Sequence, residues 1–230
     1  RGGQGEGFVM TTLDALFPGF EARWIDGPAG KLFARTGGEG PPVVLLHGFP
    51  ETHAMWRLIA PALAKTHHVV CLDLRGYGWS VAPESTGGKA YTKRAMGEDV
   101  VAAMGVLGHT HFSIVGHDRG ARAGYRLALD HPGRVEKLAL LDILPTVRVW
   151  EQIRAGSFPA AHWGFLSEAE PKPETEIAKG PAAYFEGLMA KWTGTGDLEP
   201  FHPAALASYR DSFNSPDRIH AMCEDYRAGA

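Results

Sequence analysis

The chain alternates short, unbroken apolar runs with segments of helical spacing, and that alternation leaves few folds open. "PPVVLLHGFP", "HHVVCLDLRG", "HFSIVGHD" and "VEKLALLDILP" each carry an apolar run without regular polar interruption. "TKRAMGEDVVAAMGVLG" and "RGARAGYRLALDH" lie between such runs and read as helices, the first capped by Thr92 and ended by Gly108. Strands that are apolar on both faces are buried on both faces. The pattern therefore predicts an α/β fold with a mostly parallel sheet covered by helices. "HAMWRLIAPALAK" reads as a further helix, with Met55, Leu58, Ile59 and Leu63 at helical spacing. Two short strands are expected between Glu21 and Arg35, around the turn "DGPAG".

The character changes after Pro145. "VRVWEQIRAG", "PAAYFEGLMAKW", "PAALASYRDSF" and "PDRIHAMCEDY" look helical, and no strand pattern returns. Residues 17–145 are expected to form the sheet domain and 146–230 a helical cap over it. Residues 1–16 read as a flexible extension, because "RGGQGEGFV" is glycine-rich and lacks the apolar stretch of a secretory signal.

Composition excludes some classes. The formal net charge is −3, so no basic footprint calls for nucleic acid. No apolar run reaches the ~18 residues of a membrane-spanning helix. Cys71 and Cys223 form no CxxC pair, which argues against a cysteine metal site and for a cytoplasmic protein with reduced thiols.

The most informative stretch is "FSIVGHDRGARAGYRLAL". Gly116-His117-Asp118-Arg119-Gly120 follows a strand and opens a helix, the setting of a nucleophile elbow. Glycines on both sides permit a sharp turn that lifts Asp118 above the carboxyl edge of the sheet, where open α/β folds bind ligands. Taken alone, the same residues fit a glycine turn with an aspartate helix cap. Two other segments favour the elbow. "HGFP" can supply the Phe49 amide of an oxyanion hole, completed by the amide of Arg119, and "DLRGYGWS" follows the next strand. Arg119 and Arg122 share a helix face. They either pair with surface acids or Asp118, or hold an anionic substrate by the bidentate fork that suits a carboxylate.

Jointly these segments resemble the α/β-hydrolase superfamily from Glu21 to Pro145. An aspartate at the elbow resembles its dehalogenase and epoxide hydrolase branches. A carboxylate is ionised at neutral pH and can attack saturated carbon, leaving an ester that water can cleave. Many relatives that act on neutral substrates carry tryptophan after the nucleophile, where this chain has Arg119. "GHDRGARAGYRLALDHPGRVEKLALLDILPT", "LLHGFPETHAMW", "DLRGYGWS", "YTKRAMGEDV", "HWGFL" and "MCEDYRAGA" resemble the fluoroacetate dehalogenases, a haloacetate dehalogenase family.

That resemblance implies hydrolysis of a small haloacid through an ester on Asp118, with Arg119 and Arg122 on the substrate carboxylate. It implies Asp142 as the acid that orients the catalytic histidine, and His162, Trp163 and Tyr226 as halide donors. It also implies a homodimer and no metal or organic cofactor. His47 is expected to shape the oxyanion loop and His117 to pack under the elbow. Trp192 and Tyr184 either line the pocket or fill the cap core. In the family the catalytic histidine follows the cap, beyond the last strand. None of the 11 histidines takes that place. The C-terminal strands and helix are expected to be absent from this chain and to lie in a remainder of the same protein. The chain alone is then expected to be alkylated at Asp118 without turnover and to expose an apolar sheet edge. The alternatives are an epoxide hydrolase of the same fold and a non-catalytic hydrolase-fold fragment.

Overall fold

The computed structural model describes residues 13–158 and 161–230. Six strands form one sheet: β1 (Phe20–Gly27), β2 (Gly30–Gly37), β3 (Pro42–Leu46), β4 (His68–Leu72), β5 (Phe112–His117) and β6 (Val135–Leu141). Their order is β1-β2-β4-β3-β5-β6. β1 and β2 form the expected hairpin, closing at the Gly27–Gly30 pair. β2 is antiparallel to β4, while β4, β3, β5 and β6 run parallel.

The unbroken apolar runs of β3 and β4 are explained by burial on both faces. Val43, Leu45, Val69 and Cys71 pack on one side with Phe17, Trp56 and Ala60. Val44, Leu46, Val70, Leu72 and Ile114 join the larger core on the other. Helix α1 (Lys93–Val106) begins as expected at Thr92, whose hydroxyl accepts from the Ala95 amide at 3.2 Å. Gly108 follows it at φ 86°, the left-handed conformation that glycine adopts freely. Helix α2 (Asp118–Asp130) packs against α1 and β5.

Two expectations are corrected. The segment from His53 to Leu63 is a 3₁₀ turn, His53–Leu58, followed by a four-residue helix, Ala60–Leu63. Pro61 has no amide to donate and its ring blocks a continuous helix, and Leu58 and Ile59 consequently face solvent. Residues 13–16, predicted as part of a flexible extension, are held in the fold. Leu13 and Phe17 are buried, and Asp14 accepts from Arg35 at 2.7 Å. Only residues 1–12 of that expectation lie outside the described residues.

Beyond β6 the described residues form helices only: α3 (Thr146–Arg154), α4 (Ala161–Leu166), α5 (Lys172–Ala178), α6 (Pro181–Trp192), α7 (Pro203–Phe213) and α8 (Pro216–Arg227). The last three open on proline, which suits the first turn because its missing N–H would have no partner there. α8 is tied to the sheet domain: the Glu224 carboxylate accepts from the amides of Gly87 and Gly88 at 3.1 and 2.8 Å. β6 and β1 are the two edges of the sheet among the described residues, and Leu138, Leu140 and Leu141 are exposed along β6. No helix among the described residues is long and apolar enough to cross a membrane.

Candidate active site

The site is built at the carboxyl ends of three neighbouring strands. β3 leads into the loop from His47 to Glu51, β5 into Asp118, and β6 into Asp142. The elbow is sharp. Asp118 stands at φ 43°, a backbone strain of order 1–3 kcal/mol for a residue with a Cβ. Gly116 and Gly120 are required by close approach. A methyl on Gly116 would lie 2.6 Å from Ala121 Cα, and one on Gly120 would overlap the carbonyl oxygens of Leu46 and His47. The Gly120 amide donates to His47 O at 2.9 Å, which fixes the elbow to the β3 loop.

That loop reaches Asp118. The Phe49 N–H donates to Asp118 Oδ2 at 3.2 Å. The Arg119 amide lies in the first turn of α2, where N–H groups have no intrahelical partner. His47 shapes the loop from below. Its Nδ1 donates to Gly48 O at 2.9 Å and its Nε2 accepts from the Leu74 amide at 3.0 Å. Burial holds its pKa down, against the pull of Asp73.

A cavity of about 690 Å³ opens above Asp118, lined among others by Arg122, Asp142, His162, Trp163 and Trp192. Asp142 leaves β6 at φ 55°, with its carboxylate on this cavity. The two arginines separate here. Arg122 is buried with its Nε 3.8 Å from Asp118 Oδ1 and without a hydrogen-bond partner among the described residues. Its Nη1 donates to Leu144 O and Thr146 Oγ1 at 2.9 and 3.1 Å, and its guanidinium lies 4.6 Å from the Trp163 ring centre. Arg119 points elsewhere. Its Nε donates to Asp225 Oδ2 at 2.8 Å and its Nη2 to Asp225 Oδ1 and O at 2.7 and 2.5 Å. It does not line the cavity. The expectation of two equivalent carboxylate-binding arginines is therefore corrected: a buried acid on α8 already occupies most of the Arg119 fork.

Asp225 is the centre of a buried charge cluster. It also accepts from the Tyr77 hydroxyl at 2.7 Å and pairs with Lys93. Burial opposes its charge, but Arg119 and Lys93 hold its carboxyl well below the usual range. Burial, reinforced by Arg119, pushes Lys93 down to about 7 despite Asp225. Substituting Asp225→Asn leaves buried cations without their counter-ion. The expected loss of stability is about 3–5 kcal/mol, read as a lower urea midpoint.

The rings of His162, Trp163 and Tyr226 pack together, with His162 and Trp163 lining the cavity and Tyr226 buried behind it. The Tyr226 ring stands edge-on to Trp163 at 5.3 Å and to His162 at 5.7 Å, and Phe49 packs against it at 5.1 Å. Burial lowers the His162 pKa to about 4, with Asp118 opposing, so this imidazole is neutral at pH 7 and offers an N–H dipole. Trp192 lines the cavity, whereas Tyr184 packs against Phe165 and Phe185 in the cap. His117 departs from its expected place under the elbow. As the last residue of β5 it sits at the carboxyl edge, beside the side-chain-free Gly48, and lines the cavity with Glu51. Sequence reasoning missed Glu51, Asp225 and Lys93. The adjacency of Asp225 to Tyr226 and of Glu51 to "HGFP" was the only signal.

The sequence matches the family described as the alpha/beta hydrolase fold over residues 41–223. It is 44% identical over 216 residues to a fluoroacetate dehalogenase of Burkholderia sp, covering 93% of this chain and 71% of that protein. It is 41% identical over 201 residues to a soluble epoxide hydrolase of Corynebacterium sp. (strain C12), covering 84% of this chain and 67% of that one. A solved structure from Nostoc sp PCC 7120, described as an alpha/beta hydrolase, superposes with a TM-score of 0.87 at 46% identity, covering 93% of this chain and 73% of its own. The chain belongs to the α/β-hydrolase fold family.

Proposed function

We propose that the protein hydrolyses a haloacetate, fluoroacetate foremost, to glycolate and halide through an ester on Asp118. The observation that carries this reading is Arg122: a buried cation in the cavity wall, its Nε 3.8 Å from Asp118 Oδ1 and without a hydrogen-bond partner among the described residues. A lone buried N–H of this kind is stabilised by an anionic acceptor. A substrate carboxylate taken by Arg122 puts its α-carbon near Asp118. An Asp118 carboxylate oxygen attacks that carbon, and the carbon–halogen electron pair leaves with the halide. His162, Trp163 and Tyr226 donate to the departing anion in place of water. Water then adds to the ester carbonyl of Asp118, the Phe49 N–H stabilises the oxyanion, and glycolate departs. In this reading a histidine oriented by Asp142 takes the proton of that water, a role assigned to none of the 11 histidines of this chain.

The reading draws support from the fluoroacetate dehalogenase relative, and an epoxide hydrolase draws similar support from the Corynebacterium relative. Halide release from fluoroacetate by the full-length protein is the expected result. No release, with chloroacetate also inert, would refute the haloacetate reading. Diol formation from styrene oxide would favour the alternative.

A further inference from the structure

One pair of cavity residues has no part in the reaction just described. His117 Nδ1 faces Glu51 Oε2 at 3.6 Å, and both atoms are buried without a hydrogen-bond partner among the described residues. The separation exceeds a hydrogen bond but suits an ion pair. His117 belongs to β5, immediately before the nucleophile; Glu51 closes the β3 loop, where its amide donates to Gly48 O at 3.1 Å. Gly48 lies close against the imidazole. A methyl there would stand 2.7 Å from His117 Nδ1 and 3.0 Å from Asp118 Cβ. The pair therefore spans the two segments whose spacing sets the Phe49 N–H against Asp118 Oδ2.

We propose that Glu51 and protonated His117 form a clamp that holds the oxyanion loop against the elbow, making both of them positioning residues for hydrolysis of the Asp118 ester. This rests on the ester reading above. The charges that act most strongly on His117 are acids: Glu51 from the β3 loop, Asp118 from the head of α2, and Asp142 from the β6 end. Burial works against the imidazolium, and these acids together outweigh it, so the His117 pKa lies above its ordinary value. The sign follows. A histidine whose folded pKa is raised holds its partner at low pH and releases it as pH rises through that raised pKa. The base that activates water must be neutral, so it sets the acid limb of ester hydrolysis. The clamp sets the alkaline limb.

The test uses Glu51→Gln and His117→Gln in the full-length protein, with chloroacetate in single turnovers. In Glu51→Gln the alkaline limb moves to lower pH, and ester hydrolysis at pH 8 slows on the order of tenfold through the misplaced amide, while ester formation changes much less. In His117→Gln the alkaline limb disappears. An unmoved limb in both variants overturns the clamp. So does a His117→Gln protein that forms the ester and never cleaves it, since His117 would then be the base itself. A readout without substrate separates this from failure of the haloacetate reading. In NMR titrations His117 should titrate above the ordinary ~6.5 and move down toward it in Glu51→Gln. A His117 titrating at or below the ordinary value overturns the clamp whatever the substrate.

Discussion

Substitution of Asp118 by asparagine abolishes halide release from fluoroacetate, with an expected fall of at least about 10⁴-fold in kcat. An amide is uncharged and a poor nucleophile toward saturated carbon. The other carboxylates of the cavity cannot replace it. Glu51 faces His117, and Asp142 leaves the end of β6 on a different loop. The geometry makes the loss separable from misfolding. The Phe49 N–H can still donate to an amide oxygen, and Gly116 and Gly120 still permit the turn. The denaturation midpoint should therefore stay close to the parent's while activity vanishes. Intact mass gives a second readout. The parent exposed to haloacetate gains a carboxymethyl group on Asp118, and the asparagine variant gains none. A variant that kept even one-tenth of the parent rate would remove Asp118 from the reaction.

The same turn explains why this part of the site was legible in the sequence. Strand, glycine, acid, glycine and helix lie within a few residues, so local sterics dictate the outcome. The parallel sheet was legible for a related reason. Strands such as Val43–Leu46 are sandwiched, and both faces had to be apolar. The His53–Leu63 segment misled because helical spacing records where apolar side chains fall, not whether Pro61 lets the backbone run through. Arg119 misled for a third reason. Its partner lies 106 residues away on α8, and nothing near "HDRGAR" records that acid. The Glu51–His117 pair is hidden in the same way, because the strand order that places β3 beside β5 brings the two residues together. Local geometry was readable; long-range charge pairing was not.

Arg122→Lys separates the roles of the two arginines and should lower kcat/KM for chloroacetate by roughly 10²–10³-fold, the scale of losing one member of a buried hydrogen-bonded charge pair. Lysine keeps the charge but not the fork, so a carboxylate loses bidentate contact and its angle to Asp118. The loss should be much smaller with chloroacetamide, which has no charge for Arg122 to take. That substrate-dependent split is the decisive readout, because a damaged fold would slow both substrates alike. Some damage is expected, since Arg122 also donates to Leu144 O and Thr146 Oγ1 and so joins α2 to the start of the cap. Arg119→Lys should behave differently. Its guanidinium is buried under the Tyr226 ring at 4.2 Å and committed to Asp225, so its loss should lower the denaturation midpoint and slow both substrates together. If Arg119→Lys instead discriminates between acid and amide while Arg122→Lys does not, the carboxylate is held by the wrong arginine in this reading. Asp225 would then have to release its partner when substrate binds.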